Sequence, residues 1–175
     1  WNVLGQQVLM TKLKFPDIST ALSNSNLSEE VKQYLPLLKL GLPSNLDAWD
    51  GYPAERDRIF SLFKNNNSKL ISLAGDTHNA WFSKLFDNAE EHIGYEFGTP
   101  SVTSPGLSEY LNGVNPRELE QGIINANKEI KWVNTSHRGY TKIYLTEFML
   151  KGTFKFIESV LEKSAEISFS KTFTI

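Results

Sequence analysis

Asp76 and His78 stand two residues apart in Leu-Ala-Gly-Asp-Thr-His-Asn-Ala-Trp-Phe, residues 73–82, with Asn79 beside them. A carboxylate oxygen and an imidazole nitrogen are both metal ligands. A metal so held polarises a phosphoryl oxygen and lowers the pKa of bound water. The preceding apolar run, 69–74, reads as a buried strand. In extended backbone, residues i and i+2 share a face, so the two groups would project together from the strand end. Gly75 is expected to let the chain turn sharply there. The same spacing has a second reading, in which Asp76 caps a short helical turn at Trp81 and His78 is an ordinary loop residue.

Residues 45–58, Asn-Leu-Asp-Ala-Trp-Asp-Gly-Tyr-Pro-Ala-Glu-Arg-Asp-Arg, form a second cluster. Asp47, Asp50, Tyr52, Glu55 and Arg56 crowd the start of a helix opened by Pro53. Such a terminus can hold an anion, and Arg56 could grip a phosphate through two N–H groups. A capped helix with a solvated polar face is the alternative. Ser101-Val-Thr-Ser-Pro-Gly106 is a hydroxyl- and glycine-rich loop without the spacing or the lysine of a phosphate loop. His92 is expected to begin a strand in a structural role, and His137, beside Arg138, to lie at the surface. No Gly-x-Ser-x-Gly elbow supports a serine hydrolase.

These groups need elements to position them. Strands are expected at 1–10, 69–74 and 92–97, with a loop at 11–27. A short helix should run from a capping Ser28 to about Pro36. After a loop at 41–51, Pro53 begins a longer helix, with Ile59, Phe60 and Phe63 as its apolar stripe. It should stop at Asn65-Asn-Asn67. An irregular section, 98–113, and a helix, 115–127, follow. Strands at 130–133, 140–148, 152–158 and 167–174 close the chain, two of them alternating as half-buried antiparallel strands do. Helix followed by strand points to an α/β layered fold.

The 175 residues suffice for one domain with a core. At 40% apolar and 22% charged, the composition is that of a soluble globular protein. A net charge of −2 gives no electrostatic reason to expect nucleic acid. No apolar run is long enough for a transmembrane helix. With no cysteine, disulfides, thiolate ligands and a cysteine nucleophile are absent from these residues. Asn26-Leu-Ser28 and Asn134-Thr-Ser136 fit the glycosylation pattern. The chain opens at Trp1, inside an expected strand and without an initiator methionine, as a piece of a longer protein would.

In order, Gly-Gln-Gln-Val-Leu-Met after a Trp, Trp-Asp-Gly-Tyr-Pro-Ala-Glu-Arg-Asp-Arg-Ile, Leu-Ala-Gly-Asp-Thr-His-Asn-Ala-Trp-Phe and Tyr-Glu-Phe-Gly-Thr-Pro-Ser-Val-Thr-Ser-Pro-Gly resemble the PhoD-like alkaline phosphatases, of the metallophosphoesterase group. By motif the resemblance spans about residues 1–106; His137-Arg-Gly-Tyr-Thr-Lys-Ile-Tyr-Leu-Thr-Glu-Phe148 fits the family's terminal strands more loosely. It implies a layered β-sandwich flanked by helices and ending in antiparallel strands, residues 1–175 being the C-terminal part of one such domain. It implies hydrolysis of phosphate mono- or diesters with calcium and iron ions, on a small phosphate-ester substrate, in a protein that is exported. It assigns Asp76 and His78 as catalytic and metal residues, and Asn79, Asp50, Tyr52 and Arg56 to substrate binding. The family's remaining ligands belong upstream of Trp1. The piece alone is therefore expected to bind metal weakly and turn over little. It is also expected to expose a sheet edge that the missing half or a second copy covers. A non-catalytic binding module is the alternative.

Overall fold

The computed structural model describes residues 1–17, 40, 42–66, 68–111, 113–164 and 166–175. The expected helix at 28–36, the Asn26 sequon and most of the 11–27 loop lie outside them.

Two sheets and a helical layer are stacked. The larger sheet has the order β1-β2-β4-β3-β5, from β1 (Asn2–Gly5), β2 (Leu70–Ala74), β3 (Ala80–Phe86), β4 (His92–Gly98) and β5 (Ile130–Asn134). β1, β2 and β4 run parallel, while β3 is antiparallel to both β4 and β5. The smaller sheet is an antiparallel meander of β6 (Gly139–Leu145), β7 (Leu150–Ile157) and β8 (Ile167–Thr174). The helices are α1 (Pro53–Asn65), a single turn α2 (Leu107–Tyr110), and α3 (Pro116–Ala126).

Both faces of the larger sheet are covered, which is why β2 reads as a continuous apolar run. On one face Ile71, Phe82 and Phe97 meet Leu150, Phe154 and Phe156 of β7. The rings of Phe82 and Phe173 stack there with centroids 3.9 Å apart. The opposite face packs Trp81 and Val133 against Leu119 and Ile123 of α3. It also packs Leu70, Leu85 and Ile93 against Phe60 of α1 and Met10. The layered α/β architecture ending in antiparallel strands is as expected.

Two elements differ from expectation. The first strand is four residues long rather than ten. From Met10 to Lys14 the chain crosses the helical side of the sheet as a strap whose backbone N–H groups bond to side chains. Glu96 accepts from Met10 and Thr11 at 2.8 and 2.9 Å, and Glu129 accepts from Lys12 at 3.0 Å. Asp50 takes Leu13 at 2.8 Å and Asn127 takes Lys14 at 2.7 Å. Side chains thus satisfy donors that a longer strand would have paired. The other difference is β3, a central strand that the sequence did not announce. Buried on both faces, it shows no alternation, and Ser83 and Lys84 interrupt its apolar run.

Candidate functional site

β2 ends at Ala74, and the chain turns through Gly75-Asp-Thr-His-Asn79 into β3. The turn is not extended. Asp76 has φ 58° and His78 φ 59°, both in the left-handed region. Asp and His are among the residues that enter it most readily, at a cost of roughly 1–2 kcal/mol each. Gly75 is not the pivot, because its φ is ordinary and a Cβ there would meet only Gln7 O and Thr99 Cγ2, at 3.8 and 3.9 Å. The two left-handed residues make the bend that extended geometry was expected to make.

Such strain persists only when neighbours over-determine it. Asn79, 2% exposed, donates to the Thr77 carbonyl and accepts the Leu107 N–H at 3.0 Å. Trp81 donates from Nε1 to Thr77 Oγ1 at 2.7 Å. Arg138, buried behind the loop, donates from Nη1 to the carbonyls of His78 (3.5 Å) and His137 (3.0 Å), and its Nη2 pairs with Glu109. Glu109 in turn accepts the Gly106 N–H at 3.0 Å. Gly106 is needed where it stands, since a Cβ would lie 2.6 Å from Asn79 Oδ1 and 2.8 Å from Arg138 Nη2. The Ser101–Gly106 loop and the Gly-Asp-Thr-His loop are therefore one unit.

That unit sets the state of His78. Its Nδ1 lies 3.0 Å from the Pro105 carbonyl oxygen. A carbonyl only accepts, so Nδ1 is the donor, and whenever the ring is neutral its lone pair is on Nε2. A metal-ligating histidine is typically oriented in this way. Asp76, two residues earlier, is exposed and lines a cavity that does not include His78.

A cavity of about 170 Å³ gathers Asp76, Asn79 and Asp50, with Leu9, Leu13 and Trp81 among its walls. The Trp-Asp-Gly-Tyr and Gly-Asp-Thr-His motifs thus meet in space through Asp50. One Asp50 oxygen accepts from Arg56 Nη1 at 2.8 Å, and the other from the Leu13 N–H. Arg56 is 3% exposed, stands outside the lining, and also donates to the Met10 carbonyl at 3.2 Å. Tyr52, 58% exposed, borders a neighbouring hollow with Gln6 and Trp49.

Among the described residues no three His, Asp or Glu side chains converge on one point. Asp76 and His78 are two donors, and a catalytic metal usually takes at least three protein ligands. The described residues therefore do not complete a metal centre.

His92 begins β4, as expected, with its ring against Tyr95 and Phe86. His137 is not a free surface residue. It is half-buried, bonded to Asn134 and Ser136, and packed edge-on against Phe169 at 4.7 Å. The sequence did not single out Arg138, Glu109 or Pro105 as a unit, because no spacing links positions so far apart. Two buried carboxyls also lie under the strap. Burial pushes Glu96 up from its ordinary value. Burial likewise pushes Glu129 up, to about 7, against the Lys12 N–H and the charges of Lys12 and Arg56.

The sequence profile of the PhoD-like phosphatases matches residues 1–154. Alkaline phosphatase D of Bacillus subtilis (strain 168) is 30% identical over 178 residues, which cover 99% of this chain and 26% of that protein. The solved structure of PhoD superposes with a TM-score of 0.67 at 25% identity, over 99% of this chain and 29% of that one. The chain thus spans between a quarter and a third of the length of these relatives. The match over most of its length shows that this chain belongs to the PhoD-like phosphatase family.

Proposed function

We propose that these residues are the C-terminal part of a PhoD-like metallophosphoesterase domain whose complete form hydrolyses phosphate mono- or diesters with bound metal ions, calcium and iron by family. The observation that carries the reading is the presentation of His78. A strained backbone, fixed from behind by Arg138 and Asn79, holds His78 Nδ1 on the Pro105 carbonyl, with the exposed Asp76 two residues earlier on the same turn lining the cavity with Asp50.

In this reading Asp76 and His78 hold metal and are the residues on which catalysis depends. Asn79 fixes the loop. Asp50 and Arg56 brace the cavity wall through the strap, and Tyr52 is the exposed member of its motif available to a small phosphate-ester substrate. A bound metal would supply Lewis-acid stabilisation of the phosphoryl oxygens. By the family's pattern the further ligands it needs would lie upstream of Trp1, so the 175 residues alone are expected to be nearly inactive. Export of the protein is the family's implication for its location.

The test is hydrolysis of an aryl phosphate monoester and diester by the full-length protein and by this chain, with calcium and iron, with and without chelator. Activity of the full-length protein alone, abolished by chelator, is expected. Asp76→Asn should lower it by about 10²–10³-fold, the scale for losing one stabilising group at a reacting centre. Near-normal turnover in that variant would remove Asp76 from the site. Chelator-insensitive activity would end the metal reading.

A further inference from the structure

The smaller sheet buries one face on β2, β3 and β4, and none of the groups above uses its other face. Tyr140, Lys142 and Tyr144 alternate along β6 with Thr141 and Ile143, which are less exposed. The register sets Tyr140 beside Lys155, Lys142 beside Thr153, and Tyr144 beside Lys151. β8 completes the three ranks with hydroxyls, Ser170, Thr172 and Thr174. Every rank carries one lysine, and two of them carry a tyrosine. Successive ranks lie roughly 6.8 Å apart along the strands.

The charge on this face has one sign. No rank contains a carboxylate, and among the described residues none of these three lysines makes an ion pair. Tyr140 and Tyr144 are 48% and 54% exposed, leaving ring surface in water. A hollow of about 560 Å³ lies over the lysines, Tyr144, Thr153 and Thr172. Thr153 and Thr172 hydrogen-bond to each other across its floor at 3.0 Å. The face is thus a concave trough with a hydroxyl floor.

We propose that this face binds single-stranded nucleic acid, the lysines facing phosphates and the two tyrosines offering stacking platforms. Aromatic rings interleaved with cations on an open sheet are the physical requirement for such binding. Lysine is a point charge without the planar fork of arginine, which suits contacts that do not read sequence. The whole-chain charge of −2 gave no reason to expect this partner, because a net charge does not register three lysines grouped on one face. The proposal is independent of the phosphoesterase reading.

It is tested by fluorescence anisotropy of a labelled oligothymidylate of about 12 nucleotides, titrated with the full chain in chelator across a salt series. Three phosphate contacts predict a log–log salt slope of about −2, and Lys142→Gln should reduce it by about 0.7. Tyr144→Ala should weaken binding about tenfold at unchanged slope, and Tyr144→Phe should restore it. These positions are exposed, and circular dichroism verifies the fold of each variant. Absence of binding at low salt overturns the proposal. Indifference to Tyr144→Ala, with inorganic polyphosphate or phosphatidylglycerol vesicles binding as tightly, overturns it in favour of a general anion or lipid surface.

Discussion

Asp76 and His78 carry the candidate chemistry, and both are held where L-residues rarely sit. This conformation makes a prediction separable from activity. Asn tolerates the left-handed region about as well as Asp, whereas a β-branched residue does not. Asp76→Val should therefore cost about 1–2 kcal/mol more than Asp76→Asn in urea unfolding, although both remove the same charge and the site is exposed. Equal stabilities would mean that the loop relaxes freely and its strain is not enforced. The enforcing group is Arg138. Arg138→Met removes the donors to two carbonyls and leaves Glu109 without its cation. A loss of about 1–3 kcal/mol is expected in the same measurement. Glu109→Gln should cost less than about 1 kcal/mol, since that carboxylate is half in solvent and a screened partner contributes little.

At the scale of elements, the two sheets meet where Gly152 of β7 faces Phe97 of β4. A Cβ at Gly152 would fall 2.1 Å from Phe97 Cε1, deep in the shared core. Gly152→Ala should lower stability by about 1–3 kcal/mol through overpacking, and Gly152→Ala with Phe97→Leu should recover part of it. A neutral single variant would show that the sheets are not in register there. Elements with a one-dimensional signal were legible. Pro53 and the Ile59-Phe60-Phe63 stripe marked α1, and period-2 alternation marked β6 and β7, with strand ends within a few residues. β3 was illegible because a strand buried on both faces loses alternation, and its polar Ser83 and Lys84 split it. At the candidate site, residue types and spacing alone proposed the Asp76–His78 pair. Its left-handed backbone was not legible, because φ there is imposed by Arg138 and Leu107 from distant segments.

For the whole molecule, the strap from Met10 to Lys14 ties the layers together. Its N–H groups are held by Glu96 on the sheet, Glu129 before β5, Asp50 before α1 and Asn127 after α3. Thr11 and Leu13 of this segment, and Leu9 just before it, also line the cavity with Asp76. Two of the holding carboxyls are buried, and the consequence is a pH dependence. Burial raises Glu129 from 4.5 to about 7. Between those values the folded chain keeps a proton that the unfolded chain has released. Stability therefore falls as pH rises through the window, by about 3 kcal/mol in all. His92 acts in the opposite sense, because burial and then the Lys84 charge lower its pKa. The difference between wild type and Glu129→Gln isolates the carboxyl, since a glutamine oxygen can still accept the Lys12 N–H. Urea midpoints at pH 5 and pH 8 should converge in Glu129→Gln relative to wild type, with the variant more stable at pH 8. Parallel profiles would mean that Glu129 is ionised throughout, with Lys12 and Arg56 supplying enough positive charge to hold it so beneath the strap.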